Sequence, residues 1–307
     1  MSEIKYPYIP EGRFFCFVSS DDPFMQEAVR ARKECAGDKL YPVGAVLVRD
    51  GKVIARAGNG FNQGSGTRHV CPRVVLECPS GTGYELCNLH DAPGHAEQMV
   101  IAVAKEHGID PSGADVYLYG HWWCCEPCWK AMVENGIRNV YLLEDAHVEF
   151  DRDRVYAQTL QPSVKSAYIA GSYTNNSGLA DDKVVHEALG RVCEELGCEP
   201  IIPFRDNPEN QKPREERDVR AVYQWTENKI KNCDVLIADV SNPSLGAGGE
   251  LVLAYTFEKP IVLISKKDSV ISNFALGNPA IVYHIKYKTT EEACRMLKNV
   301  LKQLKKP

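Results

Sequence analysis

Residues 121–132 read HWWCCEPCWKAM and place three cysteines within five positions. A cluster of this kind holds a metal ion, forms a disulfide or supplies small side chains to a buried core. Cys125 and Cys128 have the C-x-x-C spacing at the start of a predicted helix, which directs two thiolates toward one point. The rest of the chain decides among these alternatives, and the answer determines the fold expected for the first half.

The composition is that of a globular chain with more than one domain. The 307 residues are 44% hydrophobic and 25% charged, and this length favours two domains. We read no signal peptide and no apolar run of about 18 residues, so we expect a cytoplasmic protein without a membrane partner. In that reducing compartment the twelve cysteines are more often metal ligands or buried thiols than disulfides. The net charge of −5 argues against a nucleic-acid polymer as partner.

The first half predicts a hairpin followed by alternating helices and strands. Residues 41–58, YPVGAVLVRDGKVIARAG, contain two apolar runs on either side of an Asp-Gly turn. Residues 95–108 (HAEQMVIAVAKEHG) and 127–136 (PCWKAMVENG) predict helices that end at glycine. ADVYLYG (114–120) and IRNVYLLE (137–144) predict strands. This order indicates an α/β layered domain.

The second half predicts a doubly wound parallel sheet of the Rossmann or flavodoxin-like kind. SAYIAGS (166–172) predicts a strand that ends in a glycine turn, and CDVLIADV (233–240) is apolar along its whole length, as strands buried on both faces are. Amphipathic helical stretches alternate with these strands. We therefore expect a first domain at 1–150, a linker at 151–164 and a second domain at 165–307.

His95 and Glu97 supply the other half of a metal site. They open a predicted helix as H-A-E, and one histidine with two cysteines leaves the fourth position of a tetrahedral zinc open, as a catalytic site requires. H-x-E followed by P-C-x-x-C is the signature of zinc-dependent deaminases, in which the glutamate moves protons. The alternatives are a structural zinc site or unrelated core thiols, although a structural zinc would need a fourth ligand and would not need Glu97.

These motifs, together with GNGFNQG and GIRNVYLLE, resemble the deoxycytidylate deaminase branch of the cytidine deaminase fold over about residues 12–148. Cys124 stands where that family usually has proline, and we expect it to be a buried small residue. The resemblance implies a three-layer fold and a catalytic zinc. It also implies site roles for His95, Cys125 and Cys128 as ligands, Glu97 as proton shuttle and Asn62 as the contact to base and sugar.

The long segment between the hairpin and His95 carries the material for a second zinc. Some deoxycytidylate deaminases have a structural zinc assembled from such loops, and a metal would offset the entropy of ordering a long loop. The expected ligands are Cys35, Cys71 and Cys87, completed by His69 or His90. The alternative is that these cysteines are buried thiols.

The second half contains a candidate phosphate site in SNPSLGAGGE, residues 241–250. A glycine-rich loop after a buried parallel strand, opening into a helix, is typical of a phosphate cradle. Asp239 and Ser244 precede the predicted loop, and Glu250 follows it at the predicted helix start. A carboxylate is therefore expected beside whatever the loop binds.

This pattern resembles the nucleoside 2-deoxyribosyltransferase superfamily, and within it the 2′-deoxynucleoside 5′-monophosphate N-glycosidases, over about residues 165–287. The resemblance implies that Glu250 is the nucleophile that attacks C1′ of the sugar and that Tyr168 lines the site. In the glycosidases one phosphate contact comes from a partner subunit, which implies a homo-oligomer. The implied phosphate contacts are Gly171, Ser172, Ser244, Gly246 and, from the partner, Ser272.

Two departures from that family concern the sugar and the phosphate. Thr226 falls where the family has a sugar-facing aspartate, with Glu227 beside it. The family's arginine after the Gly-Ser turn is also absent, and YTNNSG stands there. A domain that binds nucleotides without cleaving them is therefore the alternative.

Both resemblances concern enzymes that act on a nucleoside 5′-monophosphate. We hypothesise that dCMP, CMP or a 5-substituted analogue is first deaminated to the uracil nucleotide and is then cleaved to free base and (deoxy)ribose 5-phosphate. The first alternative is a deaminase whose second domain only senses nucleotides. The second is a deaminase that edits polynucleotides, which the acidic charge and the lack of a basic aromatic stripe disfavour.

Overall fold

The computed structural model describes residues 4–60, 69–87, 89, 91–173 and 179–304. The chain divides into two compact units, one formed by residues 1–67 and 77–161 and the other by residues 68–76 and 162–307. None of the described helices combines the length and the apolar character that crossing a bilayer requires.

The first unit is built on a mixed five-stranded sheet in the order β1-β5-β4-β2-β3. β2 and β3 form the predicted antiparallel hairpin, and Asp50 and Gly51 have φ values of 52° and 70°, as a two-residue type I′ turn requires. β2 is antiparallel to β4, whereas β4 and β1 are parallel to β5. The strands are β1 (Phe15–Val18), β2 (Gly44–Arg49), β3 (Lys52–Gly58), β4 (Asp115–Tyr119) and β5 (Val140–Leu143).

Helices cover this sheet and complete the expected three-layer arrangement. β2 and β4 are buried along almost their whole length, as strands covered on both faces are. The helices are α1 (Pro23–Cys35), α3 (Ala96–Glu106), α4 (Glu126–Glu134), α5 (Ala146–Glu149) and α6 (Arg152–Thr159), with α2 (Pro72–Val75) in the second unit and 3-10 turns at Tyr84–Leu86 and Ala92–Gly94.

Two segments have a structure that the sequence does not suggest. Residues 152–159, within the expected linker, form α6, whose only buried side chain is Val155, so no apolar stripe marks the helix in the sequence. Residues 68–76 group with the second unit, where Val75 joins the core and the Cys71 amide donates to Gln303 Oε1 at 2.7 Å.

The second unit is the predicted doubly wound parallel sheet. Its strands lie in the order β10-β9-β8-β6-β7 and every neighbouring pair is parallel. The strands are β6 (Ser166–Ala170), β7 (Glu199–Ile201), β8 (Val235–Asp239), β9 (Ile261–Lys266) and β10 (Ile281–Tyr287). The helices are α7 (Leu179–Glu195), α8 (Pro203–Asp206), α9 (Val219–Asn232), α10 (Leu245–Thr256), α11 (Asn273–Leu276) and α12 (Thr290–Leu301), with 3-10 turns at Pro208–Gln211 and Arg214–Glu216.

The glycine-rich stretch is not a loop, contrary to the prediction. α10 begins at Leu245, so Gly246, Gly248 and Gly249 lie in its first turns and Glu250 is the sixth residue of the helix rather than its first. Ser244 caps this helix, because its Oγ accepts from the Ala247 amide at 3.2 Å. Glycine disfavours a helix by about 1 kcal/mol relative to alanine, and the cap together with the burial of the apolar side chains beyond Glu250 outweighs that preference.

Candidate active sites

The first site forms where α3 and α4 begin. His95 is the N-cap residue of α3 and Cys125 is the N-cap residue of α4, and the two helices pack against each other. His95 Nδ1 lies 3.3 Å from Cys125 Sγ and 3.4 Å from Cys128 Sγ. With zinc–nitrogen and zinc–sulfur bonds of ordinary length, the N···S edge of a tetrahedral site is about 3.6 Å. The three donors therefore fit a zinc ion with one position left for a non-protein ligand.

The two cysteines differ in their protonation. The Cys128 thiol donates a hydrogen bond to the Cys125 sulfur and, helped by His95, lowers the pKa of Cys125 to about 5 in spite of burial. The pKa of Cys128 is raised well above its usual value, because it is the donor in that pair and is fully buried. Gln98 Nε2 also donates to Cys128 Sγ, at 3.8 Å. One sulfur is therefore a thiolate, the form that binds zinc.

Glu97 lies beside these sulfurs in the first turn of α3. It is 6% exposed. The pKa of Cys124 is raised first by burial and then by the charge of Glu97. The pKa of Cys128 is raised by its hydrogen bond to Cys125, by burial and then by the charge of Glu97. Cys124 is fully buried in the core of the unit, as predicted. The ring of Tyr84 meets the His95 ring edge-on at 4.8 Å, a contact for which the sequence offers no signal because Tyr84 sits in an irregular segment.

The residues considered for a second zinc are divided between the two units. His69 and Cys71 belong to the second unit, whereas Cys35 and Cys87 belong to the first. Cys35 is exposed, and Cys71 and Cys87 are buried. His90 and Asn62 lie outside the described residues. The second zinc therefore stays a prediction.

In the second unit, Tyr168 on β6 and Glu250 on α10 are joined by a hydrogen bond. The Tyr168 hydroxyl donates to Glu250 Oε1 at 2.7 Å, while Oε2 is buried and has no hydrogen-bond partner. Burial raises the pKa of Glu250 to about 7, and the hydrogen bond from Tyr168 opposes this rise. Thr226 hydrogen-bonds to Tyr168, whose own pKa is raised by burial and by Glu250. The sequence-predicted residues Tyr168, Thr226 and Glu250 are thus brought together.

The Gly171–Ser172 turn lies at the carboxyl end of β6. Ser172 is 3% exposed, and its Oγ is buried without a partner. A Cβ at Gly171 would lie 2.3 Å from Cε1 of His186, so only glycine fits against that ring. His186 Nε2 is 3.2 Å from Asp239 Oδ2, and Ser241 donates to Asp239 Oδ1 from its amide at 2.9 Å and from its hydroxyl at 2.6 Å.

Sequence reasoning missed His186 and Ser241. His186 sits in an amphipathic helix, where nothing in the pattern separates it from an ordinary buried histidine. Ser272 is the exposed N-cap residue of α11, and its role as a phosphate contact from a partner subunit stays a prediction. The phosphate roles of Ser244 and Gly246 likewise stay predictions.

Comparison with known proteins assigns a family to each unit. Residues 18–144 match the family model described as the cytidine and deoxycytidylate deaminase zinc-binding region, and residues 167–294 match the model described as nucleoside 2-deoxyribosyltransferase. Both families process nucleosides or nucleotides, so the chain is a nucleotide-processing enzyme with a deaminase-like and an N-glycosidase-like part.

Three relatives each match less than half of this chain. Proteins of Methanosarcina mazei and Syntrophotalea carbinolica, both provisionally named 2′-deoxynucleoside 5′-phosphate N-hydrolase 1, are 26% identical over 132 residues and 31% identical over 111 residues. These alignments cover 43% and 36% of this chain and 80% and 78% of the relatives. ComE operon protein 2 of Bacillus subtilis is 32% identical over 104 residues, covering 34% of this chain and 48% of that protein.

The first prediction concerns zinc content. Cys125→Ala is expected to lower the bound zinc by about one ion per chain, because it removes the thiolate and leaves only His95 and Cys128 as protein ligands. The neighbouring thiol provides a matched control, since Cys124→Ala removes a buried sulfur that is not in the ligand group. Zinc is measured by mass spectrometry on the purified full chain. Equal zinc in both variants would contradict the ligand assignment.

The second prediction concerns stability. Glu250 has a pKa of about 7 in the folded chain against an ordinary value of 4.5, so the folded state binds more protons between these pH values and wild-type stability falls as pH rises through them. Glu250→Gln removes this dependence and is expected to raise the free energy of unfolding by about 1 to 3 kcal/mol at pH 8, with little change near pH 4.5.

Denaturant unfolding at several pH values measures this difference. Glu194→Gln, at an exposed position on α7, serves as the control and should show no such pH trend. A constant difference between Glu250→Gln and wild type across pH 4.5–8 would mean that Glu250 is not desolvated.

Proposed function

Because the chain belongs to the nucleoside 2-deoxyribosyltransferase family through residues 167–294 and carries a cytidine deaminase zinc-binding region in residues 18–144, we propose that it is a bifunctional nucleotide hydrolase. The first unit deaminates dCMP, CMP or a 5-substituted analogue to the uracil nucleotide. The second unit then hydrolyses the N-glycosidic bond of that product. The names of the N-hydrolase relatives and the matched deaminase model support this assignment.

The convergence of His95, Cys125 and Cys128 beside Glu97 is the observation that carries the deaminase assignment. Held by these three residues, zinc would supply the Lewis acidity that activates water near neutral pH. Glu97 is placed to accept a proton from the attacking water and to return protons to the amino group, which leaves as ammonia. The burial of Glu97 keeps its carboxyl group out of bulk water.

The state of the Glu250 carboxylate supports the cleavage assignment. Tyr168 holds Oε1, and Oε2 has no partner, so one oxygen is fixed while the other is available as a nucleophile. In the proposed step Oε2 forms a bond to C1′ as the C1′–N1 bond breaks, and the electron pair leaves with the base, which takes up a proton. Water then attacks C1′ and releases the sugar 5-phosphate and the free carboxylate.

The chemistry of the leaving group supports deamination as the first step. Uracil leaves as an N1 anion that is less basic than the cytosine anion, so its glycosidic bond breaks over a lower barrier. The second unit therefore acts more readily on the product of the first unit than on the original nucleotide.

The alternative function is nucleotide sensing by the second unit without cleavage. Thr226 favours it, because its hydroxyl hydrogen-bonds to Tyr168 and cannot supply the negative charge that the family's aspartate provides near the sugar. In that case the chain deaminates its substrate and the second unit only responds to bound nucleotide.

The third prediction separates these functions by product analysis. With dCMP the wild type is expected to release ammonia and uracil, Glu250→Gln to release ammonia and accumulate dUMP, and Glu97→Gln to release neither ammonia nor uracil. Chromatography of the bases and an ammonia assay provide the measurements, and Glu194→Gln is the control. Cytosine released without ammonia would reverse the order, and ammonia without any base would favour nucleotide sensing.

The fourth prediction concerns the pH dependence of base release. The nucleophile must be ionised, and the pKa of Glu250 is about 7, so kcat/KM with dUMP is expected to fall as pH decreases through 7. Tyr168→Phe removes the donor that stabilises the carboxylate, so the pKa of Glu250 rises and the acid limb moves to higher pH. The control is Tyr173→Phe, whose hydroxyl donates to the Ile169 carbonyl instead. An unchanged acid limb in Tyr168→Phe would exclude Glu250 as the titrating group.

A further inference from the structure

Gln98, in the first turn of α3, has no role in the mechanism above. It is the third residue of this helix, and the N-cap residue and the third residue of a helix lie close together, so Gln98 lies near His95. Cys128 is likewise the third residue of α4, which packs against α3. Gln98 Nε2 donates a hydrogen bond to Cys128 Sγ over 3.8 Å. The amide of Gln98 therefore contacts the sulfur of a proposed zinc ligand.

The Cys128 sulfur is buried in a polar group that contains a second acid. Cys128 is 0% exposed, and its side-chain partners are those of Gln98, His95 and Cys125. Zinc binds cysteine as the thiolate, and an anion removed from water needs hydrogen-bond donors in its place. Glu97 makes this need greater, because its charge opposes a negative charge on Cys128. His95 and Cys125 are proposed zinc ligands, so Gln98 is the partner that stays free to donate when the ion is bound.

A hydrogen bond to a ligand sulfur has two effects on a metal site. It fixes the direction in which the sulfur faces, and it withdraws negative charge from that sulfur, which leaves the bound ion a stronger Lewis acid. Partners that act through a ligand in this way typically change metal affinity or activity by about 10-fold to 100-fold. The side-chain amide of Gln98 carries the N–H groups that this role requires.

We propose that Gln98 is a positioning residue of the first site, which orients the Cys128 sulfur toward zinc and offsets its negative charge through the hydrogen bond from Nε2. The residue acts through Cys128 and is not itself a ligand or a catalytic group. Gln98 directly follows the His-Ala-Glu motif, so the motif and its next residue together supply a ligand, a proton carrier and a donor to a second ligand. This inference rests on the proposed function of the first unit and is independent of the second.

The test compares Gln98→Leu with wild type in zinc binding by the full chain. Leucine has a helix propensity close to that of glutamine but no N–H group, so the variant removes the donor while α3 remains favoured. The dissociation constant for zinc, measured by competition with a chromophoric chelator, is expected to rise by about 10-fold to 100-fold. The ion that is lost in Cys125→Ala identifies the site to which this constant belongs.

Gln26→Leu is the matched control, because it makes the same change at an exposed position on α1, where the amide donates to the Ser20 carbonyl. Its dissociation constant should equal that of wild type. Equal constants in Gln98→Leu and Gln26→Leu would overturn the proposal and leave the zinc site intact. If Cys125→Ala loses no ion, the zinc site is wrong, and the proposal and the proposed deamination both fail.

The cobalt-substituted chain provides a second measurement that a change in packing alone would not move. A hydrogen bond stabilises the electrons of the sulfur, so its loss in Gln98→Leu should shift the sulfur-to-cobalt charge-transfer absorption to lower energy. An absorption that stays at the wild-type energy overturns the proposal even if zinc affinity falls, because the loss of affinity then comes from packing. Neither measurement uses a substrate. A chain that passes both tests but releases no ammonia from dCMP would therefore contradict the proposed function alone.

Discussion

Parallel strand pairing determines where functional side chains gather in both units. Parallel neighbours need crossover connections, so strand carboxyl ends and the helices that follow them collect at one edge of a sheet. In the first unit, β4 leads into α4 at Cys125 before β5 returns parallel to β4. In the second unit, the parallel pairing of β6 with β8 sets Tyr168 beside Leu236, so that α10, which follows β8, carries Glu250 to the Tyr168 hydroxyl. The second site and the Cys125–Cys128 half of the first site follow from this pairing.

Burial raises the pKa of both buried carboxyl groups in the second unit, and the hydrogen-bond donors around each group determine whether its final pKa lies above or below the ordinary value. Glu250 and Asp239 are both desolvated, yet the pKa of Glu250 rises and that of Asp239 falls. The single neutral donor Tyr168 only partly offsets the burial of Glu250, whereas an imidazole and two donors from Ser241 more than offset that of Asp239. The pKa values of these two buried carboxyl groups are therefore pushed apart within one unit.

The sequence predicts those parts of the fold and sites that depend on local chemistry. The hairpin at Asp50–Gly51 follows from the backbone that these two residues adopt, and the zinc ligands follow from two short motifs whose spacing is fixed by a helix start. The start of α10 is not predictable in this way, because the cap from Ser244 and the tertiary burial of the helix override the glycines. The grouping of residues 68–76 and the packing of His186 against Gly171 depend on contacts between distant segments that no local pattern encodes.

The basicity of the leaving base is enough to set the order of the two proposed reactions. This argument requires nothing of how the two units are arranged. Cleavage before deamination would have to expel the more basic cytosine anion, and it would also remove the substrate of the first unit. The pKa of Glu250, the proposed nucleophile, is raised to about 7 by burial, so its carboxyl group is only partly ionised at neutral pH, and a poor leaving group would slow cleavage further. Under the proposed function, deamination removes that handicap at the base, and the uracil nucleotide would be the form that the second unit cleaves.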